Sequence, residues 1–237
     1  MPKLIVALDV DSFERATRII ERLKGIDVLY KIGHEALFRY GEPLIASLES
    51  LGLPSFMDVK LYDIPRTVAA GVRALVRPNV RIINVHALGG AAMMEAAVEA
   101  AAQRSAELGI AAPLIYAVTV LTSLAAEDLG ELGLSGGPGE NVIRLAGLAR
   151  DARCAGVVCS VQEAYDLKSF FGAEFGTLCP GIRPAGTAHG DQKRVATPRE
   201  AALAGVDYIV VGRPILEAPD PAAAARAILA EMEGVHA

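Results

Sequence analysis

The chain has 237 residues, of which 52% are hydrophobic and 22% charged, and its formal net charge is −5. This composition excludes a disordered chain. The mild acidity, without any basic block, excludes nucleic acid and anionic membranes as expected partners.

The first apolar run, 3–9, is predicted to be a strand. Its core Leu4-Ile5-Val6-Ala7-Leu8 stops at Asp9, which is too short for a secretory signal and carries no cleavage site. Ser12 is the expected cap of a helix covering 13–20. Further strands are expected at 28–33, 55–60, 80–86, 112–119, 156–159, 175–179 and 207–211. Helical patterns separate them, including the alanine-rich 91–108 and a helix opened by Thr197-Pro198. Eight strands, each followed by a helix, imply a parallel sheet covered on both faces. A (β/α)8 TIM barrel, one domain over 1–237, accommodates that count. An open doubly wound sheet would need a glycine-rich phosphate loop after its first strand, and the sequence there reads Asp9-Val10-Asp11-Ser12. Two segments read as long loops, 130–140 and 180–196. No run approaches the ~20 apolar residues of a membrane span. Cys154, Cys159 and Cys179 are odd in number, lack metal-ligand spacing and read as buried, reduced thiols of a cytoplasmic protein.

Barrel enzymes keep their chemistry at the C-terminal ends of the strands. The first predicted strand ends in Asp9, the second carries Lys31, and the third carries Asp58 and Lys60, with Asp63 just beyond. Asn84 and His86 end the fourth, Thr122-Ser123 follow the fifth, Arg183 the seventh and Gly212-Arg213 the eighth. Strand alternation puts Asp58 and Lys60 on one face, after the apolar Phe56-Met57. Buried charges are costly unless paired. A single pair could be a structural salt bridge, whereas an array with Lys31 and Asp63 points to a reactive site with fixed protonation states. His86 reads as a hydrogen-bonded core residue.

Barrels commonly bind phosphate through the loops after the last two strands. In Val211-Gly212-Arg213-Pro214 the glycine permits close approach, the arginine can grip an oxyanion in two places, and the proline suits a helix start. Arg183 and Gln192 on the preceding loop strengthen that reading. No metal is expected: His34, His189 and His236 have no ligand spacing, and a lysine set between aspartates opposes a cation.

The ordered set Ala7-Leu8-Asp9, Lys31-Ile32-Gly33, Asp58-Val59-Lys60-Leu61-Tyr62-Asp63-Ile64-Pro65, Asn84-Val85-His86-Ala87, Leu121-Thr122-Ser123, Pro180-Gly181-Ile182-Arg183-Pro184, Gly190-Asp191-Gln192 and Val211-Gly212-Arg213-Pro214-Ile215 resembles the orotidine 5′-monophosphate decarboxylases. The motifs span nearly the whole chain. The resemblance implies cofactor-free decarboxylation of orotidine 5′-monophosphate to uridine 5′-monophosphate in pyrimidine biosynthesis. It makes Lys60 the proton donor, with Lys31, Asp58 and Asp63 completing the charged array. It implies a homodimer in which Asp63 and Thr67 reach into the partner's site. Asp9 and Lys31 would hold the ribose, Thr122 and Ser123 would face the pyrimidine, and Arg183, Gln192, Gly212 and Arg213 would hold the phosphate. Arg66 stands where such proteins often have asparagine. The rival readings are a magnesium-dependent sugar-phosphate lyase or decarboxylase of the same barrel group, which has an acidic residue where this chain has Lys31, and a catalytically silent nucleotide-binding barrel.

Overall fold

The computed structural model describes residues 1–184 and 194–234. Gln192, together with His189, Gly190, Asp191 and His236, lies outside the described residues.

Eight parallel strands close into one barrel in the order β1 to β8, each hydrogen-bonded to its sequence neighbours and β8 to β1. The first half runs β1 (Lys3–Ala7), α1 (Phe13–Arg22), β2 (Leu29–Ile32), α2 (His34–Ser50), β3 (Ser55–Leu61), α3 (Pro65–Leu75), β4 (Val80–His86) and α4 (Ala91–Leu108). The second runs β5 (Leu114–Val118), α5 (Ala126–Glu131), α6 (Pro138–Asp151), β6 (Gly156–Val158), α7 (Val161–Phe171), β7 (Gly176–Cys179), α8 (Pro198–Leu203), β8 (Tyr208–Val211), α9 (Arg213–Leu216) and α10 (Pro221–Glu233). All eight expected strands form, most of them trimmed by a residue or two at an end. The predicted TIM barrel is therefore observed.

Alternate side chains divide the apolar residues into two packed regions. Ile5, Ala7, Leu29, Phe56, Ile82, Tyr116, Leu178 and Val210 fill the barrel interior. The opposite set, including Leu4, Val6, Ile83 and Val211, packs outward against the helices. Burying each such large side chain contributes roughly 1.5–3 kcal/mol. At the β6–β7 seam there is no room for side chains: a Cβ at Gly156 would collide with the Gly176 backbone, and one at Gly176 with the Tyr116 hydroxyl. The three cysteines are buried with free thiols, and the Sγ atoms of Cys159 and Cys179 lie 3.8 Å apart.

Two local expectations are corrected. The stretch 130–140 is a loop only between the helices, because Gly130 and Glu131 still belong to α5 and Pro138 opens α6. Proline is suited to a first helical position, and the Glu140 carboxylate accepts from the Gly137 amide, so this end is held early. Ser12 has the extended backbone of a cap but makes no side-chain cap bond. Thr197 does cap α8: its hydroxyl accepts from the Glu200 amide at 3.1 Å, and Glu200 accepts from the Thr197 amide at 2.7 Å.

The ladder is irregular where the chemistry is expected. Met57 pairs with Ile83 and Leu61 with Val85, so Asp58, Val59 and Lys60 pass a single β4 residue, Asn84. Such a bulge re-aims side chains and leaves backbone groups without ladder partners. Lys60 adopts φ +48°, a left-handed conformation that costs a non-glycine residue about 1–3 kcal/mol. Asp58 and Lys60 do meet, as the alternation rule predicted, but across a bulge instead of a regular pleat.

Candidate active site

A cavity of about 650 Å³ opens at the C-terminal ends of the strands, and Ala7, Phe56, Val118, Leu178 and Val210 form its apolar floor. Of the residues singled out from the sequence, it gathers Asp9, Lys31, Asp58, Lys60, Thr122, Ser123, Arg183, Gly212 and Arg213. Asp63 and Thr67 are exposed and do not line the cavity of their own chain. Asp63 instead accepts a hydrogen bond from the Ile64 amide, 2.7 Å.

Four charges form a continuous line. The Lys31 ammonium donates to Asp9 Oδ1 at 3.0 Å and stands 3.1 Å from Asp58 Oδ2. The other Asp58 oxygen, Oδ1, accepts from Lys60 Nζ at 2.6 Å. Burial alone would favour the neutral forms, yet the pairing prevails. For Lys31, desolvation pulls the pKa down, but Asp58 and Asp9 together raise it above the ordinary lysine value. For Asp58, desolvation pushes up, but Lys31, Lys60 and hydrogen bonds from Lys60 and Asn84 bring it down to about 2. Around neutral pH the site therefore carries an ionised Asp58 and a cationic Lys31. Gly33 makes this line possible, since a Cβ there would sit 2.7 Å from both Asp9 Oδ1 and Lys31 Nζ.

The bulge's backbone groups find partners from outside the ladder. Asn84 Oδ1 accepts from the Lys60 amide at 2.7 Å, and Asn84 Nδ2 donates to Asp58 Oδ1 at 2.7 Å. His34 Nε2 lies 3.0 Å from the Val59 carbonyl. His86 is half-buried, 5.7 Å from the Tyr62 ring, and its pKa is lowered by burial first and then by Lys60. A depressed histidine favours the neutral form in the folded chain.

Next to the lining residues Val120 and Leu121, Arg194 joins three segments. It donates to the carbonyls of Val120 (3.1 Å) and Leu121 (3.0 Å), just before Thr122-Ser123, and pairs with the buried Glu163. Glu163 in turn accepts from the amide and hydroxyl of Ser160 at the start of α7. Close by, the Arg183 amide donates to the Ala196 carbonyl at 2.8 Å, fixing the start of the post-β7 segment. A Cβ at Gly212 would touch only Ala7, at 3.6 Å. Its missing side chain leaves space at the cavity edge.

Sequence reasoning overlooked the roles of Asn84, Glu163 and Arg194. For Asn84 a signal existed, a lone amide at the end of an apolar strand, while nothing in the pattern around Arg194 marks it. Among the described residues no group of three or more histidines, cysteines, aspartates and glutamates is placed to hold a metal. Lys31 and Lys60 together balance the charges of Asp9 and Asp58. No helix among the described residues is long and apolar enough to cross a membrane.

The family model described as orotidine 5′-phosphate decarboxylase / HUMPS family matches residues 2–228. The chain is 48% identical to the orotidine 5′-phosphate decarboxylase of Halorhodospira halophila, over 98% of this chain and 96% of the relative. It is 47% identical to that of Moorella thermoacetica, over 98% and 93% respectively. The crystal structure of orotidine 5′-phosphate decarboxylase from Lactobacillus acidophilus superposes with a TM-score of 0.87 at 36% identity, covering 98% of this chain and 99% of that one.

Proposed function

The chain belongs to the orotidine 5′-phosphate decarboxylase / HUMPS family, and from that membership we infer that it converts orotidine 5′-monophosphate to uridine 5′-monophosphate and carbon dioxide in pyrimidine biosynthesis, with Lys60 as proton donor. The observation that carries the assignment to residues is the line Asp9–Lys31–Asp58–Lys60 inside the cavity.

Loss of carbon dioxide breaks the bond from the ring to its carboxylate and leaves the electron pair on the ring carbon. No Schiff base forms with the ring in this scheme, so stabilisation is electrostatic. A fixed ammonium near the developing charge supplies it. Lys60 then gives its proton to that carbon, forming the product's C–H bond, and solvent reprotonates the amine. Asp58 favours the cationic form of Lys31 and, paired with both lysines, orients them before substrate arrives. Asp9 and Lys31 take the ribose hydroxyls, Thr122 and Ser123 the pyrimidine edge, and Arg183, Gln192, Gly212 and Arg213 the phosphate. Contacts at the phosphate, remote from the reacting carbon, lower the barrier by orienting the ring.

The observation that supports a metal-free reaction over the sugar-phosphate alternative is Lys31, whose ammonium bridges Asp9 and Asp58. The purified protein is expected to deplete orotidine 5′-monophosphate absorbance at a rate unchanged by a chelator. No turnover of that nucleotide, or a chelator-sensitive turnover of a sugar phosphate restored by magnesium, overturns the reading. The reaction's place in nucleotide synthesis makes the cytoplasm the proposed location.

A homodimer with shared sites completes the proposal. Asp63 and Thr67 are exposed and do not line their own cavity, and they lie beside Tyr62 and Ile64, which are 63% and 65% exposed. An apolar patch of this kind, next to polar residues the cavity lacks, suits a second copy of the chain. Mixing Lys60→Ala with Asp63→Ala subunits is expected to restore activity to about a quarter of the parental level, because random pairing puts half the chains in hybrids with one intact site each. No recovery after verified exchange would rule out sharing.

A further inference from the structure

The bulge that presents Lys60 depends on a side chain that the reaction itself does not use. Three β3 residues pass one β4 residue between the paired positions Met57–Ile83 and Leu61–Val85, which deprives the Lys60 amide of a ladder acceptor. A buried amide without an acceptor is strongly disfavoured. Asn84, only 1% exposed, provides that acceptor through Oδ1 at 2.7 Å. Its other terminus donates at 2.7 Å to Asp58 Oδ1, the oxygen that holds Lys60 Nζ at 2.6 Å. One amide thus grips both ends of Lys60: the backbone directly, and the ammonium through Asp58. The left-handed φ of +48° at Lys60 needs such support, since strained conformations persist only where their surroundings over-determine them.

We propose that Asn84 is a positioning residue that fixes the strained backbone of Lys60 and the facing oxygen of Asp58, and so sets where the proton is delivered. No other natural side chain of this size both accepts from one amide and donates to a carboxylate in these directions. The change Asn84→Asp would keep the acceptor but set a second negative charge against Asp58.

The proposal rests on Lys60 as proton donor, so Lys60→Ala is measured alongside. Asn84→Ala is expected to lower kcat about 10²–10³-fold, with KM and uridine 5′-monophosphate affinity within about threefold of the parent. A merely structural asparagine would lower the melting temperature without this selective loss of kcat. In the parent, the Lys60 amide is expected to exchange slowly with deuterium. If Asn84→Ala does not fold, Asn84→Ser is judged by the same criteria. A folded variant with kcat within threefold of the parent overturns the proposal, as does rapid exchange of the Lys60 amide. Near-normal turnover by Lys60→Ala would instead remove the premise, and the two failures are thereby distinguishable.

Discussion

Lys60→Ala is expected to lose at least about 10⁴-fold in turnover while binding uridine 5′-monophosphate within about tenfold of the parent. Two effects vanish together. A fixed donor at developing charge is worth about 10²–10³ in rate, and general acid transfer about 10²–10⁴. They share one ammonium, so the sum is not simply additive, and ~10⁴ corresponds to about 5.5 kcal/mol of barrier. Product binding should survive, because the ribose and phosphate contacts proposed here lie on other residues and the product has no carboxylate to lose. Steady-state assay and equilibrium titration of the same preparation measure both quantities. Near-normal turnover in the purified variant would remove Lys60 from the mechanism.

The second large effect is expected at Asp58, where activity and stability fall together. Asp58→Ala leaves the buried Lys31 ammonium with Asp9 alone and releases Lys60 and Asn84 from their shared oxygen. Removing one partner of a buried pair typically costs about 3–5 kcal/mol. For a chain of this size that lowers the melting temperature by roughly 10 °C. Turnover should drop at least about 10²-fold, since Lys60 loses its orienting anion. The pH dependence follows from the lowered pKa. Asp58 titrates at about 2 in the folded chain and near ~3.9 when unfolded. The folded state therefore binds fewer protons at this group, and its contribution is fully present above the unfolded value. It fades as pH falls from about 4 through about 2, so Asp58→Ala should flatten that part of the stability curve in chemical denaturation. An unchanged curve would mean the ion pairs contribute little to the fold.

How much of this was legible in the sequence differs by physical scale. Strand periodicity and count determine the barrel, because an apolar strand of a parallel sheet has few other places to go. Charged residues at strand ends announced Asp9, Lys31, Asp58 and Lys60, since nothing but pairing or chemistry tolerates them there. What stayed hidden depends on contacts between distant segments. The register slip at Met57–Leu61 has no local signature: the run around Lys60 reads as an ordinary alternating strand. Arg194 looks like any loop cation until Glu163 and the Val120 and Leu121 carbonyls are brought to it from 31 to 74 residues away. At 130–140 the glycines suggested a loop, and the proline and capping glutamate within the same stretch outweighed them.

The cysteines, set in the packed shell around the barrel, bear on how the protein can be handled. The nucleophile in thiol chemistry is the thiolate, and burial suppresses it. Burial pushes Cys154 up to about 12, and Cys179 is held well above its usual value by burial and by its neighbour Cys159. All three native thiols are buried, so none is accessible to a reagent in the folded chain. A single cysteine introduced on the exposed face of α7, such as Tyr165→Cys, becomes the one position a maleimide dye can reach, with no native cysteine to be removed first.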